Sequence, residues 1–388
     1  MSLTNSGVAR VEVKDLIRNR ARDLGFEACG FSSSDPPASG DQFNSWLESG
    51  RHGEMAYLHR NAAKRLDPQK VLPGTRSIVC LALCYSPDNG ATARSRINRG
   101  SSSDAGTIQR PVEVEPGTRE RVPSRGIVAR YARYSDYHDI MKEKLHALSE
   151  FLASLYPGSR SLWYSDTGPV LERDFAQRAG VGFIGKHTNL IGRSLGNWFW
   201  LGEILTTAEI EADRPEKNRC GSCSLCINAC PTGAITAPFQ LDARKCISYL
   251  TIELKGSIPL ELRSAIGARI FGCDDCLEVC PWNRFSQKAR LMASHARPDL
   301  HSLDLIELLR MDEPAFRERF AGTPILRSKR RGLLRNVCVA LGNVGGSEAI
   351  PALETALQDP EPLIREHAAW ALDQIQLRFP RAPESEGS

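Results

Sequence analysis

Cys220-Gly-Ser-Cys223-Ser-Leu-Cys226-Ile-Asn-Ala-Cys230-Pro231 is followed further along the chain by Cys273-Asp-Asp-Cys276-Leu-Glu-Val-Cys280-Pro281, with Cys246 between the two runs. The C-x₂-C-x₂-C-x₃-C-P spacing is that of two-cluster ferredoxins, in which the fourth cysteine of a run ligates the other cluster. Three close thiolates wrap one cube, and the proline turns the chain so that the fourth sulfur points away. Two four-iron clusters need eight thiolates. The position three before Cys273 is Ile270, so the second run lacks a ligand, and Cys246 is the natural replacement. The expected sets are therefore Cys220, Cys223, Cys226 and Cys280 for one cluster, and Cys230, Cys246, Cys273 and Cys276 for the other. Paired structural zinc sites are the alternative, since four cysteines also suit zinc. Zinc sites rarely use three cysteines at two-residue gaps followed by Cys-Pro.

The chain has 388 residues, 41% hydrophobic and 25% charged, which suits a globular protein of two or three domains. No run approaches the ~20 apolar residues of a membrane span. Met1 to Val13 lacks the apolar core of a secretory signal. Thiolate-held clusters point to a reducing compartment, the cytoplasm. Cys29, Cys80, Cys84 and Cys338 lie in apolar surroundings and read as buried structural thiols. The net charge of +4 is concentrated. Residues 310–335 carry eight Arg or Lys against three acids, so the remainder is close to neutral. Such a segment reads either as a polyanion-binding patch or as a solvated helical face.

Upstream of the cysteines the pattern alternates. Val13, Leu16, Ile17, Ala21 and Leu24 repeat at helical spacing and lead through Gly25 into a strand over Ala28–Phe31. Ser77 to Tyr85 is a continuous apolar run, as for a strand buried on both faces. Residues 88–123 are rich in Gly, Ser, Arg and Pro, and read as a mobile insertion. A strand is expected over Ile127–Tyr134 and a helix from Ile140 to Leu155, stopped by Pro157-Gly158. Further strands are expected at Ser161–Ser165 and Asn197–Leu205, with a helix over about 170–179 between them. The fold class is thus α/β (α+β), with a two-cluster ferredoxin-like module at 215–290. After it, Leu341-Gly-Asn343 and Leu372-Asp-Gln374 hold matching places 31 residues apart, the mark of a HEAT-like α-helical repeat over 291–380. With so few units it should lean on the main body. Arg381 to Ser388 is a polar tail.

No Gly-x-Gly-x-x-Gly turn follows a strand, which argues against nicotinamide. Asp136-Tyr137-His138 begins like a cobalamin motif, but Met141 replaces its glycine. His138 therefore reads as a polar group at a helix start. Beyond the cysteines, several segments resemble the epoxyqueuosine reductase family nearly end to end. They are His52-Gly-Glu-Met-Ala-Tyr57, Val128-Ala-Arg-Tyr-Ala132, Asp166-Thr-Gly-Pro-Val-Leu-Glu-Arg173, Ala179-Gly-Val-Gly-Phe-Ile-Gly-Lys186, Leu201-Gly-Glu-Ile-Leu205 and Asp242 to Glu253. Two departures are the long 88–123 insertion and Asn197-Trp-Phe-Trp200, which replaces a small-residue run at one wall of the cofactor pocket.

The resemblance implies a cobalamin-binding catalytic domain over 1–214 that reduces epoxyqueuosine to queuosine at the wobble position of tRNA. Two [4Fe-4S] clusters and an external electron donor would feed it, in a monomer. It implies Asp166 as proton donor, a role that would need a raised pKa. Asp166 ends a strand, where α/β domains place chemistry, although it could equally cap the next helix. Arg60, Ala129, Arg130, Asp166, Lys186, Asn189, Leu190, Leu201 and Ser248 are the implied corrin contacts. Arg327, Lys329, Arg330, Arg331 and Arg335 are expected to track an anticodon stem-loop. The same cofactors would serve a corrinoid-dependent reductase of a small molecule, similar to reductive dehalogenases, but that enzyme has no use for a basic repeat.

Overall fold

The computed structural model describes residues 7–86 and 124–380, so the 88–123 insertion and the 381–388 tail lie outside the described residues. Its centre is a four-stranded sheet in the order β1-β2-β7-β4, made of β1 (Ala28–Ser33), β2 (Ser77–Cys84), β4 (Ser161–Tyr164) and β7 (Phe199–Thr206). Every neighbouring pair is antiparallel. The apolar run 77–84 is the inner strand, with every residue buried. That is the outcome its unbroken hydrophobicity dictates, because helices cover both faces of the sheet. On one face Gly202 makes room for Met141 and Leu145 of the helix Tyr137–Leu155. On the other, Gly30 lies so close to the backbone of Ala179 that any β-carbon would collide with it. Ala179 ends the helix Glu172–Arg178.

In register with Gly30 on that second face are Cys80, Glu203 and Tyr164. Glu203 is therefore buried in the core, fully excluded from solvent, and neither carboxylate oxygen has a hydrogen-bond partner. Burial, together with the charges of Glu172 and Asp166, pushes its carboxyl well above the usual range, so it is a neutral acid.

β3 (Arg125–Val128) belongs to a second sheet, β10-β3-β11, with β10 (Arg269–Phe271) parallel to it and β11 (Leu303–Asp304) antiparallel. The expected strand 127–134 is thus cut short. Ala129 N–H makes the last ladder bond, to Phe271 O. The next amide, Arg130, instead donates to the Asp274 carboxylate at 2.6 Å, and the chain turns into a 3₁₀ segment at Arg130–Ala132. One three-stranded sheet therefore joins the catalytic region, the cysteine region and the C-terminal helices. Two small hairpins complete the strands: β5 (Phe183–Ile184) with β6 (Leu190–Ile191), and β8 (Ile235–Ala237) with β9 (Gln240–Leu241).

The C-terminal helices Lys329–Val344, Ile350–Ala356 and Pro362–Arg378 pack around a continuous buried stretch, Gly332–Gly342. The first leans on the body, as so short a repeat must. Asn336 Nδ2 donates to Thr251 O and to Ile270 O, each at 2.8 Å. Cys80, Cys84 and Cys338 are buried and Cys29 is half-buried. Burial pushes all four thiols up, Cys29 to about 12. No helix among the described residues is long and apolar enough to cross a membrane.

Glu203 gives a stability prediction. Its folded pKa lies above its unfolded value of ~4.5, so its contribution is intact below pH ~4.5 and is lost as pH rises toward the folded pKa. Glu203→Gln should therefore melt ~2–4 °C above the native chain at pH 8, with the difference vanishing near pH 4.5, as read by thermal unfolding at the two pH values.

Candidate functional site

The cysteines fall into two groups. The Cys226 thiol feels Cys280, Cys220 and Cys223 as its charged neighbours. The Cys276 thiol feels Cys246, Cys273 and Cys230 before the more remote Cys226. Cys220, Cys223, Cys226 and Cys280 line one cavity of about 100 Å³. Its walls also carry Ile191, Leu225 and Trp282, and Lys186 Nζ donates to Gly221 O and Cys223 O at 2.7 and 2.8 Å. Four soft thiol donors around a recess with apolar walls, with an ammonium fixing the loop, fit an iron–sulfur cluster. Among the described residues, no three His, Cys, Asp or Glu side chains could grip a single metal ion. The second set abuts β10: Ser248 Oγ reaches Cys273 O at 3.5 Å, and Gly272 packs on Ala129.

Asp166 follows β4 directly and has a left-handed backbone, φ 62°, which Asp tolerates better than most residues. Gly168 is needed just beyond, because a β-carbon there would strike Tyr164. The next helix begins at Leu171 without a side-chain cap, so Asp166 is not a capping residue. Its side chain is 54% exposed. Oδ2 accepts a 2.9 Å hydrogen bond from Tyr137 Oη, with His138 Nε2 and Arg327 Nη1 each 3.8 Å away. Partial burial raises the Asp166 carboxyl, but the nearby His138, the hydrogen bond from Tyr137 and the charge of Arg327 outweigh it and hold the group at about 2. In this geometry Asp166 is ionised, so the raised pKa that a proton donor needs has to come with the bound cofactor or substrate.

His138 is the companion group. Asp136 caps its helix, accepting from His138 N at 3.1 Å, and contacts Nδ1 at 2.6 Å. Burial lowers the imidazole pKa, but Asp136 and Asp166 raise it further and win. Arg327 Nη2, 2.7 Å from Nε2, opposes them, because that contact is a hydrogen bond only while Nε2 keeps its lone pair. Arg327 and a proton therefore compete for one nitrogen. Tyr57, Arg65, Tyr131, Glu172 and Glu253 all lie within electrostatic reach of the Asp166 charge. Tyr137 stacks on Trp200 at 5.0 Å and 12°, which makes the unusual Trp200 part of the floor.

The expected corrin contacts divide. Leu201 O accepts from Ser165 Oγ beside Asp166. Ala129, Arg130 and Ser248 gather at the Cys273–Asp274 loop. Arg60 is exposed on the short helix Ala56–Arg60. Lys186 is occupied by the Cys220–Cys223 loop, with Asn189 and buried Leu190 in the β5–β6 hairpin nearby.

The basic segment divides more sharply. Arg335 is 1% exposed and donates to Leu250 O, Leu254 O and Gly256 O. Arg330 is spent on Met311 O and the Asp359 carboxylate. Neither is free to touch a phosphate, which corrects the expectation for both. Lys329 and Arg331 remain exposed and, with Arg327 and Lys255, line a pocket of about 290 Å³ that also contains Glu253. Lys255 carried no sequence signal and Glu253 only closed a resembling run, because nothing local marks their convergence with residues 327–331.

Comparison with known proteins agrees with this anatomy. Residues 219–283 match a family described as "4Fe-4S double cluster binding domain", and residues 323–385 match "HEAT repeats". The class is thus a double-cluster iron–sulfur protein carrying a helical repeat. Residues 65–167 match the family described as "Epoxyqueuosine reductase QueG". The epoxyqueuosine reductase of Xanthomonas campestris is 40% identical over 92% of this chain and 95% of its own, and that of Escherichia coli 37% over 92% and 88%. A crystal structure of epoxyqueuosine reductase with an epoxyqueuosine-modified tRNA-Tyr stem loop superposes with a TM-score of 0.80, at 32% identity over 94% of this chain and 91% of that one. The Bacillus subtilis enzyme, solved with its catalytic aspartate loop swung out of the active site, gives 0.78 at 31% identity over the same shares. This chain belongs to the epoxyqueuosine reductase family.

The two fates of the basic residues can be separated by unfolding measurements. Arg335→Ala leaves three buried carbonyls without a donor and should cost roughly 3–5 kcal/mol, whereas Arg331→Ala should stay within about 0.5 kcal/mol of the native chain.

Proposed function

We propose that the chain reduces epoxyqueuosine to queuosine at the wobble position of tRNA, drawing electrons through two [4Fe-4S] clusters and cobalamin. The observation that carries this reading is the exposed Asp166 carboxylate, held by Tyr137 and 3.8 Å from Arg327, which itself lines the basic pocket with Glu253. The overall conversion takes an epoxide, two electrons and two protons to an alkene and water. When bound, cobalamin supplies a carrier that reaches the epoxide carbons. Ala129, Arg130, Leu201 and Ser248 would hold it beside Asp166. Lys186, with Asn189 and Leu190 behind it, would serve the first cluster loop instead.

The chain's own part is the protons. An opening epoxide develops alkoxide character, and a positioned acid there contributes about 10²–10⁴-fold. Asp166 has to be recharged before it can donate, since Tyr137, His138 and Arg327 keep it ionised. The 327–331 pocket supplies the means. A tRNA phosphate that draws Arg327 away removes a positive charge from Asp166, which raises its pKa, and frees His138 Nε2 to take up a proton and pass it to Oδ2. The substrate thereby arms its own acid. Lys255, Lys329 and Arg331 would hold neighbouring phosphates, while the splayed wobble base reaches Asp166. A small-molecule reductase would leave that pocket without a purpose. A reducing cytoplasm, where tRNA and thiolate-held clusters coexist, and a single chain acting alone complete the proposal.

Asp166→Asn should retain the cluster absorption and cobalamin yet lose turnover by at least about 10²-fold in nucleoside analysis of treated tRNA. Full activity would take Asp166 out of the reaction. Cys246→Ser should lower iron from about eight to about four per chain and leave the Cys220–Cys226 cluster detectable by paramagnetic resonance. Unchanged iron would break the assignment of Cys246.

A further inference from the structure

We propose that the surface over the Cys220–Cys226 loop is the landing site of a small acidic protein that carries one electron at a time. This rests on the reading that Cys220, Cys223, Cys226 and Cys280 hold a cluster, and goes beyond it by locating where electrons enter. The second cysteine set contacts Ala129, Arg130 and Ser248, three of the implied corrin contacts. The first set is roofed by a loop whose Gly221, Ser222, Ser224 and Leu225 are all exposed. An outside carrier can approach the first set closely there.

The surface around that roof has a transient docking face's composition. Its centre is apolar: Leu225 is 47% exposed, and Phe285, 42% exposed, lies 5.4 Å from Trp282, which lines the cluster cavity. Its rim is basic. Arg219 reaches the cavity, Arg193 and Lys217 are exposed, and Arg284 lies over the Phe285 ring at 4.6 Å. Glu216 sits between Arg219 and Arg193, at 3.0 and 3.9 Å, and is only 15% exposed. Solvent therefore meets positive charge around an apolar patch. Such a rim steers an acidic partner and orients it without tight binding, as repeated electron delivery requires. An RNA could also meet positive charge here, but the apolar centre offers nothing to a phosphate backbone.

The test uses the triple variant Arg193→Glu, Lys217→Glu and Arg284→Glu, none of which lines the cysteine cavity. Reduced flavodoxin, an acidic one-electron carrier, drives turnover in one series and dithionite with a small viologen in the other. The expected result is that KM for flavodoxin rises more than about tenfold at low salt, while viologen-driven turnover, iron content and tRNA affinity stay within about twofold. In the native chain the flavodoxin-driven rate should fall steeply with added salt and the viologen-driven rate should not. Flavodoxin kinetics unchanged by the triple variant, or a loss of tRNA affinity with those kinetics intact, would overturn the docking site. If the double variant Arg193→Glu, Arg284→Glu lost both series equally, the surface would again be excluded. Failure of the cluster reading would look different, because the native chain would then hold no iron and turn over with neither reductant.

Discussion

One carboxylate under competing claims organises the reactive end of this molecule. Asp166 is presented by a left-handed turn at the end of β4, gripped by Tyr137 and approached by His138 and Arg327. Those partners come from the helix behind the sheet and from the start of the C-terminal repeat. The site therefore exists only when the sheet, the helix Tyr137–Leu155 and the repeat are all docked. The electrostatic result is equally specific: a half-exposed carboxylate is held firmly charged by the Tyr137 hydroxyl and by His138 and Arg327 nearby. Removing one of those donors is the cheapest way to change its protonation state, and Arg327 is the one that borders the basic pocket.

The rest of the fold supplies the rigidity that such a balance needs. The β10-β3-β11 sheet joins three regions of the chain. Asn336 and Arg335, buried in the first repeat helix, satisfy carbonyls of the cysteine region, including Leu250 O near the C-terminal end of the helix Ile247–Ile252. Helix ends leave such carbonyls without intrahelical partners. A repeat that might have been an appendage is thereby anchored by hydrogen bonds that neither partner could satisfy with water.

Much of this was legible in the sequence where the signal is local. The cysteine runs carry their ligand pattern in their spacing, and Cys220, Cys223, Cys226 and Cys280 line one cavity. The run Ser77–Cys84 announced its double burial by having no polar side to turn outward. The basic segment misled, because a charge reads as exposed unless its partner is known. The carbonyls that take up Arg335 lie some eighty residues away, and the carboxylate that takes up Arg330 is likewise remote. The charge state of Asp166 is not legible for the same reason: strand-end placement is a local property, whereas pKa is set by Tyr137, His138 and Arg327 from elsewhere. Strand 127–134 was overextended because Asp274 claims an amide the sequence had assigned to a ladder.

The most direct test is a single turnover without any external reductant. The chain, reconstituted anaerobically with iron, sulfide and cobalamin, is reduced, freed of reductant and mixed with tRNA bearing epoxyqueuosine. Two one-electron clusters hold enough charge for about one epoxide, so the account predicts up to about one queuosine per chain, formed as the reduced-cluster signals disappear. Fully reduced protein that binds the tRNA and leaves both its signals and the epoxide unchanged would contradict it.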